Sequence, residues 1–366
     1  MVPLATIFYF PLTPIRSTRL TFFLLAAILA ALVIEGGAAA TTAFLVSRGW
    51  MASIPAFRKE QVADYLKNRD PVLGWRADVT PVKGACVSTY GDSFTTGSDA
   101  ASYPKELARL TGCAVANYGV GGYGSDQAML LAREMRTVDH APISVIGHAS
   151  ENILRNLNQH RHLLYPGQEL LFKPRFIFDG EELRSMPVPI AEPSDFDLLM
   201  TAPESILNYD EFLSRPRRAF PYTLSIVRWL FTDFHARAFM ARVPRHEPFY
   251  HPDHPAGGLQ TTTAVLTSFA LDKRRDIRRP IILLIPVGDD FKYVSRGHQW
   301  PDQPLASALA ASQEPVIHAG PKMMEKLKGA DPCSLYEPCN GHFNERGYRM
   351  LAEIVADAIR SLPQRR

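Results

Sequence analysis

Residues 85–99 read A-C-V-S-T-Y-G-D-S-F-T-T-G-S-D, an apolar run that leaves through Gly91-Asp92-Ser93 and puts a serine at the bend. A serine hydroxyl is a poor nucleophile near neutral pH and needs a base within about 2.6–3.2 Å to take its proton. Attack on an ester carbonyl then develops an oxyanion, and losing one donor aimed at it costs on the order of 10²- to 10³-fold in rate. Gly, Asp and Ser are also common turn formers. The triplet gains weight from its place after an apolar strand and from Asn117-Tyr118-Gly119-Val120-Gly121-Gly122-Tyr123-Gly124 one strand later. A third polar exit, His148-Ala149-Ser150-Glu151-Asn152, follows the next apolar run.

These three stretches leave a repeating pattern. The spacing predicts strands over 85–90, 114–118 and 143–147 and helices over 103–110 and 125–135, a βαβαβ unit with parallel strands covered by helices on both faces. In such a sheet ligands bind beyond the carboxyl ends of the strands, so all three exits converge on one edge. The pattern returns with a helix over 263–277, strands over 281–286 and 316–319, and a last helix over 345–362, where Leu351, Ile354, Val355, Ala358, Ile359 and Leu362 recur at helical spacing before Pro363. Between the halves lies an insertion at about 160–260. It holds a hairpin of 175–178 and 182–186 joined through Asp179-Gly180, then a stretch rich in Pro, Arg, His and aromatics without a clear period.

The chain resembles the SGNH (GDSL-type) hydrolase family over about residues 83–155 and 280–362, with the insertion unmatched. Gly91-Asp92-Ser93 is similar to the first family block, which implies Ser93 as nucleophile and, through its N–H, as an oxyanion donor. N-x-G-x-x-G falls on Asn117, Gly119 and Gly122, which implies the Gly122 N–H as a second donor. The third block implies Asn152 as a side-chain donor, with Asn156 as the fallback. The fourth, normally D-x-x-H, falls on Cys339-Asn340-Gly341-His342 and implies His342 as general base. Cys339 stands where the family has its aspartate and cannot orient the imidazole as a carboxylate does. Either His342 works in a dyad, or a carboxylate from elsewhere substitutes, Glu337 and Asp331 being nearest in sequence. The implied fold is α/β, a three-layer α/β/α arrangement with a central parallel sheet (the flavodoxin-like SGNH hydrolase fold).

Rival readings attach to the same residues. Gly119-Val120-Gly121-Gly122-Tyr123-Gly124 formally matches G-x-G-x-x-G, but it follows the second strand, no acidic residue ends the next strand, and the Walker lysine is missing, which argues against a nucleotide. Asp92 reads as a brace for its loop; His148 fits either a substrate contact or a buried role. Asp289 and Asp290 could reach the cleft, although paired acids after a strand are usually solvated. His235, His246, His251 and His254 match no ligand spacing, so neither a metal nor a cofactor is expected.

With 366 residues and 46% apolar content the chain can bury a large core, and its 40 basic against 37 acidic residues are scattered, which points to no nucleic-acid surface. Leu20 to Ile34 is uncharged and almost wholly apolar behind Arg16 and Arg19, and apolar character resumes after Glu35 to Val46. Fifteen residues fit a signal-peptide core, with a cleavage site around Gly36–Ala40, whereas 20–46 would span a bilayer. The flanking arginines place the N-terminus inside the cytoplasm and the chain beyond the apolar segment outside it. The expected organisation is a tail and membrane segment over 1–48 and a hydrolase domain over 49–366. Two cysteine pairs, 86 with 113 and 333 with 339, suit an oxidising compartment, free thiols being the alternative.

The expectation is an exported or membrane-anchored serine esterase acting on an acyl ester, in this family often an O-acyl group on carbohydrate. An O-acetyltransferase of a surface polysaccharide and a non-catalytic glycan-binding protein are the alternatives.

Overall fold

The strands of the molecule are β1 Val87–Gly91, β2 Val115–Gly119, β3 Ile143–Ala149, β4 Arg175–Phe178, β5 Leu183–Met186, β6 Arg279–Ile285, β7 Val316–His318, β8 Tyr336–Glu337 and β9 His342–Phe343. They belong to a computed structural model that describes residues 15–53, 58–76, 79–98, 100–164, 170–212 and 216–362. Five of them form the central sheet in the order β2-β1-β3-β6-β7, and every pairing is parallel. Strands covered on both faces need apolar side chains on both. All five residues of β1 are buried, and Ile281 to Ile285 of β6 form a continuous buried run.

Side chains alternate across a strand, so the sheet divides two cores. Tyr90, Ile146, Ile282 and Leu284 face the helices Ser125–Glu134 and Gly258–Arg275. Val87, Val145, Ile281, Leu283 and Ile285 face Tyr103–Thr111, Ala319–Leu327 and Glu345–Ser361. This is the three-layer α/β/α arrangement expected, with element ends moved by a few residues.

The hairpin forms as read, β4 against β5. The rest of the insertion is more regular than its sequence suggested, with helices Pro193–Thr201, Tyr222–Thr232 and Phe234–Ala241. Tyr222–Thr232 carries Ser225, Arg228 and Thr232 at helical spacing, a period that the Pro, Arg and aromatic residues around it obscure in the sequence.

Ile15–Ser47 is a single 33-residue helix. Its Arg19–Ser47 stretch has a mean hydropathy of 2.2 and is long and apolar enough to cross a membrane. From Leu20 to Ile34 its large apolar side chains are more than half exposed, whereas Thr42 and Leu45 are buried against the insertion. The cysteines pair as 86–113, clasping the starts of β1 and β2, and 333–339; none is free.

Candidate active site

Ser93 opens the short helix Ser93–Thr96 at the carboxyl end of β1. Asp92, fully buried, caps that helix by accepting from the Phe94 N–H at 2.9 Å, which fixes the bend and leaves the Ser93 hydroxyl to face outward. His342 arrives on β9 from 249 residues further along, and its Nε2 lies 2.8 Å from Ser93 Oγ. A proton transfer needs that separation.

The imidazole is held by a small scaffold. β8 and β9 pair antiparallel, with Tyr336 opposite Phe343 and Glu337 opposite His342. The Asn344 amide accepts from the Gly347 N–H at 3.1 Å and donates to the Ser334 carbonyl at 3.0 Å, tying β9 to the last helix. Tyr336 donates to the Pro286 carbonyl at the exit of β6 at 3.0 Å. The Phe94 ring packs against Phe343 and His342, with centroids 5.3 and 5.1 Å apart. Cys339 is disulfide-bonded and takes no part in orienting the ring. Asp331 is engaged by the Cys333 N–H at 2.9 Å. Glu337 stands across the ladder from His342 and lines the same cleft, but no hydrogen bond joins the two. Among the described residues the base is positioned by ring packing and backbone, not by a bonded carboxylate.

The glycine loop is placed by sterics. A Cβ on Gly119 would lie 2.3 Å from the Thr96 nitrogen, so the β1 and β2 exits can touch only through a glycine there. Asn117 holds the contact, donating to the Thr96 carbonyl at 3.1 Å and accepting from the Gly119 N–H at 3.0 Å. Gly122 has φ +82°, a conformation that favours glycine, and its carbonyl accepts from Arg161 at 2.9 Å.

Asn152 begins the helix Asn152–Asn156 after β3, is fully buried, and has no hydrogen-bond partner on either side-chain atom. Buried amides are almost always paired, so this one has bonding capacity to spare for a bound group. Asn156 is fully engaged with Ser125, Asp126 and Thr262, which makes it a structural residue.

The sequence did not reveal what gathers these loops. Arg155, 4% exposed, donates to Asp92 at 2.8 Å and to the Tyr123 carbonyl at 3.0 Å and also pairs with Glu151. One guanidinium thus joins the β1, β2 and β3 exits. Burial pushes the Asp92 carboxyl above the usual carboxylate value, and the Arg155 charge pulls it back. The only signal in the sequence was the i,i+4 spacing of Glu151 and Arg155.

His148 is fully buried, with Nδ1 3.0 Å from Ser125 Oγ and Nε2 2.9 Å from the Tyr250 hydroxyl; burial lowers its pKa to about 3. Of its two readings the buried role is the one found. Asp290 departs from the solvated expectation: it is fully buried, 2.6 Å from His246 Nε2, and accepts from Ser150 at 2.5 Å and the Val287 N–H at 2.9 Å. Burial resists charging His246, but the Asp290 carboxylate outweighs it and the pKa is raised. Asp289 is the exposed member of the pair and reaches Lys292. His251 pairs with Glu247 and His254 packs on Phe249, while the His235 side chain lies outside the described residues. Among the described residues no three His, Cys, Asp or Glu side chains gather as metal ligands would.

Two clefts meet at the Ser93–His342 pair. A wide one, about 820 Å³, mixes Ser98, Ser334, Glu337, Arg346 and Arg349 with Ala101, Phe343 and Tyr348. A narrower one of about 370 Å³ is lined by Arg48, Trp50, Arg245, His246 and His342.

No protein-family model and no curated protein matches the chain. Among solved structures it is similar to the lipase/acylhydrolase from Enterococcus faecalis, at 12% identity over 76% of this chain and 98% of that one with a TM-score of 0.38. It is also similar to a catalytic mutant of an acetylxylan esterase from Geobacillus stearothermophilus, at 11% identity over 76% and 96% with a TM-score of 0.38. A third is a GDSL-like lipase from Bacteroides thetaiotaomicron, at 11% identity over 75% and 87% with a TM-score of 0.37.

Proposed function

We propose that the protein is a membrane-anchored serine esterase whose catalytic domain faces away from the cytoplasm. The observation that carries this is the 2.8 Å contact between Ser93 Oγ and His342 Nε2, a nucleophile and a base brought together across 249 residues. His342 takes the hydroxyl proton as Ser93 attacks the acyl carbon. The N–H groups of Ser93 and Gly122 and the unpaired amide of Asn152 receive the charge that develops on the carbonyl oxygen. His342 returns the proton to the departing alcohol, and water, deprotonated by the same imidazole, releases the acid.

The wide cleft beside Ser93 supports a sugar as the alcohol moiety, because its lining sets hydroxyls, two carboxylates and two guanidinium groups among apolar and aromatic side chains. Two disulfides and the apolar helix Ile15–Ser47 support an anchored, extracytoplasmic location.

The test uses the full chain in detergent with p-nitrophenyl acetate and a fluorophosphonate probe. Wild type should hydrolyse the ester and be labelled at Ser93; Ser93→Ala should lose both and His342→Ala should lose turnover. Labelling at another residue, or unchanged turnover in Ser93→Ala, overturns the assignment. Acetate release without any added sugar separates a hydrolase from an acyltransferase.

A further inference from the structure

Residues 216–245 carry six arginines against one aspartate and the helices Tyr222–Thr232 and Phe234–Ala241, none of which the proposed chemistry uses. Tyr222–Thr232 lies along the second half of the membrane-length helix Ile15–Ser47. Glu35 of that helix accepts from the backbone N–H groups of Tyr222 and Thr223 and from the Thr223 hydroxyl at 2.7 Å, so a carboxylate among apolar residues meets the N-terminus of the second helix. Further along, Arg218 donates to Thr42 Oγ1 at 3.2 Å and Trp229 to the Trp50 carbonyl at 2.9 Å. Leu45, Met51, Trp229 and Ala236 close a small core between the two helices.

The opposite side of the same helix is uncovered. Leu224, Val227 and Phe231 stand at i, i+3 and i+7 and are 43%, 47% and 82% exposed, and Phe220 at the tip of the preceding loop is 74% exposed. An apolar stripe left open on a helix of mixed faces, with Arg228 beside it, is expected to meet a partner or lipid. The uncovered stripe continues the exposed apolar surface of Leu20 to Ile34, and Glu35 fixes the level at which they join. Counting about 20 residues from Leu20 for the hydrocarbon thickness puts its outer boundary near residue 40, so Glu35 and the Phe220 loop sit about 7 Å inside it. That is the depth to which interfacial apolar side chains reach. The helix runs outward from Glu35 toward Trp50, so Leu224 stands near the level of about residue 37 and Phe231 near that of about residue 44, past the boundary.

We infer that the Phe220 loop and the start of the helix that follows it form a second membrane contact, in which Phe220 and Leu224 enter the outer half of the bilayer crossed by Ile15–Ser47 while Phe231 stays above it. The narrower cleft, lined by Arg48, Trp50, Arg245 and His342, then opens at the lipid surface. This rests on the anchored reading, and the test separates the two.

The full chain is placed in nanodiscs, one chain per disc, made from lipids with or without brominated acyl chains, which quench nearby indoles. Tryptophan is introduced singly as Phe220→Trp and Leu224→Trp, as Phe23→Trp in the anchor, and as Ile277→Trp, a 72% exposed position at the opposite end of the sheet. Emission is read as the difference from the parent with its four tryptophans. The Phe220, Leu224 and Phe23 variants should lose at least about half of the added emission in brominated discs, and Ile277→Trp none. Quenching of Phe23→Trp alone overturns the proposal and leaves the anchor standing. No quenching in Phe23→Trp overturns the anchor and the proposal with it. Blue-shifted but unquenched emission at 220 and 224 also overturns it, since these side chains are then covered by protein.

Discussion

Replacing Arg155 with methionine removes the cation that joins the three loops and keeps most of the side-chain volume. Asp92, fully buried, keeps only the Phe94 N–H, while the half-exposed Glu151 can turn to solvent. Breaking a buried ion pair from one side costs about 3–5 kcal/mol, because a charge is left without compensation. With an unfolding entropy of ~0.6 kcal/mol/K for a folded body of this size, that is a fall in Tm of about 5–8 °C. The loss should depend on pH in a defined direction. Burial already raises the Asp92 pKa, and removing Arg155 raises it further. An acid that binds its proton more tightly when folded contributes stability at low pH and loses it as pH rises from its unfolded value of about 3.9 through its folded one. Thermal unfolding of Arg155→Met in detergent, followed by near-ultraviolet circular dichroism, should show its largest deficit at pH 8 and a smaller one toward pH 5. The double variant Asp92→Asn/Arg155→Met should recover much of the deficit. A fall below about 2 °C at pH 8, or a deficit that does not change with pH, would refute the assignment of Arg155 as the compensating charge.

Asn152→Leu should lower kcat about 10²-fold while leaving Tm unchanged or raised, because it removes an oxyanion donor and also a buried amide without partners; retained turnover would deny Asn152 its role. Gly122→Ala forces a Cβ to 2.6 Å from the Arg161 guanidinium carbon at φ +82°, so kcat should fall by about 10² or more with little change in KM. Glu337→Gln should cost less than about tenfold in kcat/KM, against ~10⁴ for an aspartate bonded to a catalytic histidine, because no hydrogen bond links Glu337 to His342. His148, with its pKa lowered to about 3, stabilises the fold fully above its unfolded value near 6.5 and progressively less as pH falls toward 3, so Tm should drop between pH 6.5 and 4, less steeply in His148→Gln.

The sheet was legible because each central strand is a short apolar run between turn formers, and Ser93 and His342 were legible because short motifs mark their loops. Arg155 was not: Asp92 lies 63 residues before it, and only the folded sheet brings the β1 and β3 exits together. Asp290 misled for the same reason, since the histidine that covers it comes from the aperiodic insertion, 44 residues away. The helix Tyr222–Thr232 was hidden by its surroundings, because the prolines, arginines and aromatics on either side mask the helical spacing of Ser225, Arg228 and Thr232. Glu337 was named from proximity in sequence, and the ladder does set it opposite His342, yet alignment across two strands is not a bond.

The 249 residues between nucleophile and base also bear on biogenesis. During synthesis and export from the N-terminus onward, the serine emerges early and its proton acceptor among the last folded elements. On the proposed export, the chain would cross to its destination chemically silent and acquire reactivity only when the last helix has docked, sparing the esters along its route.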